Sequence, residues 1–287
     1  MKKSLYIIMS CTLLLSSCGI YKKYERPEVN TKGLYRDTLS DQDTLVSNDT
    51  TTLGSTPWRE VFTDPKLQTL IDSALSNNSD LLTAALSVKQ SEDMLKVAKL
   101  AYVPSFVFSP NGALSSWDGA KTNKTYSLPI QASWTVDLFG SLLNAKRAQQ
   151  MVLVQARDYQ RAVRTSIISG VANCYYTLLM LDEQLRITKE TEALTEQTWK
   201  TMQDMKEYYG YNEGSVLSAK ANYLSVKASI PEIERQIRET ENSLSLLLAQ
   251  APTRIDRGTF AGQSLPENLR TGVSIQVLAN RPDVHAK

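Results

Sequence analysis

Between Lys124 and Asp137 apolar and polar residues alternate. Tyr126, Leu128, Ile130, Ala132, Trp134 and Val136 share one parity. Ser127, Gln131, Ser133, Thr135 and Asp137 share the other, with Pro129 its one non-polar member. Strand side chains alternate faces, so the pattern predicts a strand with one greasy and one wet face. A matching run precedes it, with Phe106, Phe108 and Leu114 on one parity and Ser105, Ser109 and Asn111 on the other. The polar stretch from Trp117 to Asn123 joins the two, so residues 104–137 read as a β-hairpin. Alternating strands of roughly ten residues have the length and pattern of transmembrane β-strands. The same alternation also fits a hairpin laid on a soluble core. A lone hairpin is marginal in water and needs partners in either setting.

After Asp137-Leu138-Phe139-Gly140 the period changes. About 68 residues follow with Gly170 as the one internal glycine and no proline, enough for a helix of ~100 Å. Its seam runs through Val152, Ala156, Tyr159, Val163, Ile167, Val171, Cys174, Leu178, Leu181 and Leu185 at about 3.67 residues per step, which predicts nearly straight packing. Ala145, Ala148, Ala162, Ala172 and Leu179 lie off the seam, as in a helix with several neighbours; a two-helix coiled coil is the other reading. Tyr208 to Ser215 reads as a turn, with Ser215 placed to cap a helix over 216–251. That helix aligns Leu217, Ala221, Leu224, Ala228, Ile233, Ile237, Leu244 and Leu248, and Pro231 should kink it or mark an irregularity.

Upstream, Trp58 to Ser76 has apolar residues at three- and four-residue steps, with Asp64 before Pro65 as a cap. A second helix is expected from Asp80 to Tyr102, with Leu81, Ala84, Ala85, Val88, Met94, Leu95, Ala98 and Ala101 on its apolar positions and Pro104 ending it. Residues 252–280 are mixed, broken by glycine and proline, with a short helical turn expected at Ser274–Leu278.

The first residues change the picture. Lys2 and Lys3 precede an apolar run over Leu5–Leu15 that is too short to span a bilayer as a helix, the form of a signal peptide. Removal of Lys2 and Lys3 with that signal leaves 30 basic and 30 acidic residues, so no basic excess points to nucleic acid. Cys11 falls in the signal, and Cys174 sits among helical apolar residues as a buried, inert thiol. With His285 as its one histidine, the chain has too few parts for common zinc or triad chemistry, and neither a cofactor nor a metal nor an enzymatic activity is expected.

Several strings then carry a resemblance. Leu15-Ser-Ser-Cys18 resembles a bacterial lipobox, which implies lipid on Cys18. With it stand Trp58-Arg-Glu-Val-Phe-Thr-Asp-Pro-Lys-Leu67, Asn78-Ser-Asp-Leu81 and Trp134-Thr-Val-Asp-Leu-Phe-Gly140. Ile233-Glu-Arg-Gln-Ile237, Glu241-Asn-Ser-Leu-Ser-Leu-Leu-Leu248 and Asn280-Arg-Pro-Asp-Val284 complete the set. In this order they resemble the outer-membrane efflux proteins, the TolC-like channels, and among them the acylated OprM/NodT branch. The resemblance implies a mostly α fold with a transmembrane β-hairpin: long α-helical barrel segments plus part of a β-barrel, the first repeat of a TolC-like protomer. It implies a homotrimer in the outer membrane that meets a periplasmic adaptor (membrane fusion) protein and an inner-membrane pump, and serves as a passive exit duct for drugs or other small solutes. Type I protein secretion, or a lipid-anchored coiled-coil scaffold without a pore, are the alternatives.

The expected organisation is a signal at 1–17, a lipid-anchored tether at 18–57 and a short equatorial helix at 58–76. A helix with the membrane hairpin at 77–140, a periplasmic αα-hairpin at 141–251 and a linker opening a second repeat at 252–287 follow. The expected site residues are Cys18 for the lipid and Phe106, Phe108, Tyr126, Leu128, Ile130 and Trp134 for the membrane-facing strands. Asp137, Leu138, Phe139 and Gly140 form the strand-to-helix turn. Tyr208, Tyr209, Gly210 and Tyr211 form a tip that either meets the adaptor or packs between helix ends. The second hairpin is not seen, so the chain is expected to be C-terminally truncated and, alone, to hold too few strands for a closed barrel.

Overall fold

The computed structural model describes residues 57–116, 118–119, 121–210, 212–263 and 281–285. The expected signal, the tether up to Thr56 and the turn at Ser274–Leu278 lie outside the described residues. In order the elements are α1 (Trp58–Val61), α2 (Pro65–Asn77), α3 (Ser79–Leu100), β1 (Ser105–Phe108), β2 (Asn111–Ser115), β3 (Asn123–Ser127), β4 (Ile130–Ser133), α4 (Ser141–Tyr209) and α5 (Glu213–Leu247). A 3-10 turn at Phe260–Gly262 and a last turn, α6 (Pro282–His285), complete them. The described residues divide into two units, one within 93–151 and one within 57–92 and 152–285.

The second unit holds the core. Leu67, Ile71 and Ala74 of α2 are fully covered. They pack in one cluster with Ile167, Val171, Tyr175, Leu178 and Leu179 of α4, Ile233, Ile237 and Leu244 of α5, and Leu248 and Ile255 beyond it. Each fully buried Leu or Ile side chain contributes about 1.5–3 kcal/mol. The helix expected after Pro65 is α2, and a separate turn, α1, precedes it within 58–76. Asp64 stands in extended backbone and its side chain accepts from the Lys66 amide at 2.9 Å, so α2 begins afresh at Pro65. Asn78 caps α3, with Oδ1 accepting from the amides of Asp80 (2.9 Å) and Leu81 (3.2 Å), while its Nδ2 donates to the Leu247 carbonyl at 3.0 Å.

The long helix α4 runs 69 residues. Ile167, Val171, Leu178 and Leu181 of its expected seam are buried, but Val152 and Tyr159 are exposed. Gly170 explains itself: a Cβ there would meet Leu247 Cδ1 at 3.3 Å, so the missing side chain lets α5 come close. Two readings of α5 need correction. Its cap is Asn212, whose Oδ1 accepts from the Gly214 amide at 2.8 Å, and not Ser215. In its first half Val216 and Tyr223 are buried while Leu217 and Leu224 are exposed, one position away from the expected seam. The cause is the flat stack of Tyr223 on Trp199 of α4, with centroids 5.6 Å apart and planes at 10°. The helix continues through Pro231. Likewise Met94 of α3 is exposed, while Ala84 and Leu95 are buried as expected.

Candidate membrane hairpin and helix tip

In the first unit β1 pairs antiparallel with β4, and β2 with β3. Phe108 faces Ile130 at the end of one ladder and Asn111 faces Ser127 at the start of the next. The step between these pairs is the same on both strands, so one register runs through the whole ribbon without a bulge. The two long strands expected from the sequence are each interrupted, at Pro110 and Pro129. Ser109 N–H still donates to the Pro129 carbonyl at 3.3 Å, but Pro129 has no N–H to return. The ribbon also ends sooner than expected: β4 stops at Ser133, leaving Trp134 and Val136 outside it. The next ladder bond would need the Val103 amide, which is spent on the Leu100 carbonyl at 2.9 Å, closing α3. Trp134 is held instead through its indole Nε1–H, which donates to the Tyr102 carbonyl at 3.2 Å.

Residues directly opposite in an antiparallel pair share a face. Phe106 faces Ala132, Phe108 faces Ile130, and Gly112 faces Tyr126. The register therefore merges the two apolar parities into one face, with Leu128 and Leu114 on it. Phe106, Phe108, Leu114, Tyr126, Leu128 and Ile130 are 60–74% exposed there. The other face is uncharged and mostly polar, with Val107 and Pro129 among its apolar members. Ser105 and Ser133 join hydroxyl to hydroxyl at 2.7 Å, and the Ser127 hydroxyl bonds to Asn111 Oδ1.

The turn into α4 is built by two residues. Asp137 Oδ2 accepts from the Leu143 amide at 2.9 Å, satisfying a first-turn donor of the helix. Gly140 takes φ +73°, the left-handed region that a Cβ disfavours. Leu138 and Phe139 stand out into the open, at 77% and 85% exposure.

At the far end of α4, Tyr208 and Tyr209 are strongly exposed. Gly210 turns the chain at φ +70°, and its N–H closes the helix on the Lys206 carbonyl at 3.1 Å. Lys206 and Glu213 bridge the turn at 2.9 Å. Tyr211 and Cys18 lie outside the described residues.

Two polar nodes in the second unit have no signature in the sequence pattern. In one, Tyr175 OH donates to Asp64 Oδ2 at 2.5 Å, Gln263 Nε2 donates to the same oxygen at 2.8 Å, and the Gly258 amide donates to Tyr175 OH at 3.0 Å. Burial alone would raise the Asp64 carboxyl; the bonds from Tyr175, Gln263 and the amides of Lys66 and Leu67 outweigh it and hold it below its ordinary value. Burial first, and then the Asp64 carboxylate, push the Tyr175 phenol well above its usual range. In the other node, Arg257 forks onto Asp182 (2.5 and 2.8 Å), reaches Glu241 Oε1 at 2.5 Å and donates to the Ile255 carbonyl at 3.1 Å. The paired carboxylates raise the Arg257 guanidinium further, Asp182 foremost. Together the nodes fasten the strand of chain after α5 to α2, α4 and α5. Among the described residues no group of three or more His, Cys, Asp or Glu could hold a metal ion, and no helix is long and apolar enough to cross a membrane.

Comparison with known proteins matches these features. A family model described as outer membrane efflux protein covers residues 70–250, well over half of the chain. The "Probable outer membrane lipoprotein SilC" of Salmonella typhimurium is 27% identical over 286 residues, 96% of this chain and 60% of SilC. The "Cation efflux system protein CusC" of Escherichia coli K12 is 27% identical over 288 residues, 95% of this chain and 59% of CusC. The crystal structure of the open state of the Neisseria gonorrhoeae MtrE outer membrane channel superposes with a TM-score of 0.75 at 25% identity, over 92% of this chain and 59% of that one. The chain thus spans about 60% of the length of the curated relatives it matches. Its mostly helical fold, with one exposed two-faced hairpin, is that of TolC-like channels. The chain belongs to the outer membrane efflux protein family.

Proposed function

We propose that the chain is part of an outer-membrane exit duct in a tripartite efflux system, passing drugs or other small solutes passively out of the cell. The observation that carries this reading is the register of the hairpin. It sets Phe106, Phe108, Leu114, Tyr126, Leu128 and Ile130 on one exposed face and a hydroxyl-rich, uncharged surface, interrupted by Val107, on the other. Such a ribbon suits a wall with lipid on one side and water on the other.

In this reading three copies assemble, and the duct does no chemistry; the shape and polarity of its wall do the work. The name of SilC supports a lipid on Cys18 and a place in the outer membrane, and the name of CusC supports efflux. The helical hairpin over 141–251 reaches into the periplasm, and its tip at Tyr208, Tyr209, Gly210 and Tyr211 meets the adaptor that links the duct to the pump.

The test is a matched pair of substitutions. Leu128→Arg, on the apolar face, should cost ~2–4 kcal/mol near the bilayer midplane. It should abolish heat-resistant trimers in detergent and raise dye accumulation in cells. Gln131→Arg, on the polar face, should leave the trimers intact and change ion conductance. Equal tolerance at both positions would show that the hairpin does not sit in a membrane.

A further inference from the structure

The four strands carry a single charged residue, and the register fixes its place. Lys124 faces Leu114 across the ribbon, on the face of Phe106, Phe108, Tyr126, Leu128 and Ile130. It is the last position of that face before the loop. Lys121, within the loop, is also exposed. Neither lysine has an ion pair among the described residues, and Asp118 is the one acid of the loop. The opposite end of the face is marked by Trp134, anchored to the Tyr102 carbonyl, with Asp137 just beyond. The ribbon is therefore polar along its length, with its cations gathered at the loop end.

The spacing gives these ends a meaning. Lys124 and Trp134 are about ten residues apart, or ~33 Å of strand at ~3.3 Å per residue. At the tilt of ~40° usual for membrane strands this becomes about 25 Å along the membrane normal, the height of the apolar band of such barrels. An indole with its N–H bonded belongs at one water boundary of that band, and a lysine with an apolar stem and a charged tip belongs at the other. A free ammonium at the headgroup level has one abundant counter-charge, the phosphate of an anionic lipid.

We infer that Lys124, assisted by Lys121, binds anionic lipid headgroups and fixes the depth and direction in which the hairpin sits, its loop at the headgroups. The inference rests on the membrane reading of the hairpin and adds to it the chemistry of the lipid. Each lysine near an anionic surface is worth about fivefold in partitioning, and salt screens that gain.

The experiment uses the full chain carrying Cys18→Ser, so that no acyl chain contributes. Flotation is measured with vesicles of phosphatidylcholine alone and with vesicles that also contain phosphatidylglycerol. The parent should bind the anionic vesicles more tightly, and Lys124→Ala and Lys121→Ala should each remove about fivefold of that preference. Lys124→Arg should keep it, and high salt should erase it, with binding to neutral vesicles unchanged throughout. A double alanine variant that still prefers anionic vesicles, or a parent that binds both kinds equally, overturns the inference while leaving the membrane hairpin standing. Leu128→Arg is the separate control: if it binds both kinds of vesicle as the parent does, the membrane reading itself falls.

Discussion

Arg257 gives the sharpest test of how the second unit is held. Its side chain is 9% exposed and lies between Asp182 at 40% and Glu241 at 12%. Arg257→Ala removes four hydrogen bonds, and the consequences differ by partner. Asp182 can recover water, so the loss of its fork costs little beyond the bonds themselves. Glu241 cannot, and is left a nearly buried carboxylate without its cation. Breaking a buried pair from one side costs about 3–5 kcal/mol; the exposure of Asp182 puts this case near ~3 kcal/mol, and the orphaned Ile255 carbonyl adds about 1 kcal/mol. Arg257→Lys should fall between, because one ammonium cannot fork onto Asp182 and reach Glu241 together. The double change Arg257→Met with Glu241→Leu should restore most of the loss, since a packed apolar pair of similar volume replaces the charges. Urea unfolding in detergent, followed by far-ultraviolet circular dichroism, reads the stability, and hydrogen exchange over residues 252–258 reads the local opening. A loss below about 1 kcal/mol for Arg257→Ala, or a double variant no better than the single, would refute the reasoning.

The Asp64 node should leave an acid signature. Its folded carboxyl lies below its ordinary value of 3.8, so the stability it contributes is full above that value and is lost as pH falls through it toward the folded one. Asp64→Asn should flatten the acid limb of the stability profile in that window; an unchanged limb would remove Asp64 as its cause. Changing Tyr208 and Tyr209 together to alanine should abolish crosslinking to the adaptor while trimers persist, because exposed aromatic rings anchor interfaces; lost trimers would instead assign the rings to packing between helix ends. Cys18→Ala should remove the lipid mass and loosen membrane association, and an unchanged mass would end the lipobox reading.

The sequence by itself determined the elements. Alternation in 105–133 announced a two-faced hairpin, the long proline-free run announced α4 almost to the residue, and Pro65 and Pro104 marked where helices begin and end. These signals are local, because a side chain's face follows from its neighbours a few residues away. The short strings from Trp58 to Val284 likewise made the family legible. Only the tertiary structure decided which neighbouring position of a helix faces inward. Val216 and Leu217 differ by a turn of about 100° and are equally apolar, and the Tyr223 stack on Trp199 settled the choice. Nor did any local pattern reveal that Pro129 leaves a gap in the ladder without shifting its register, or that Val103 spends its amide on α3 and so ends the ribbon at Ser133. The polar nodes were the least legible of all. Asp64 and Gln263, or Asp182 and Arg257, stand far apart in the chain, and read singly each is an ordinary surface residue. Their meaning comes from the fold, which brings distant partners together and shields Arg257 and Glu241 from water, so that their bond becomes necessary.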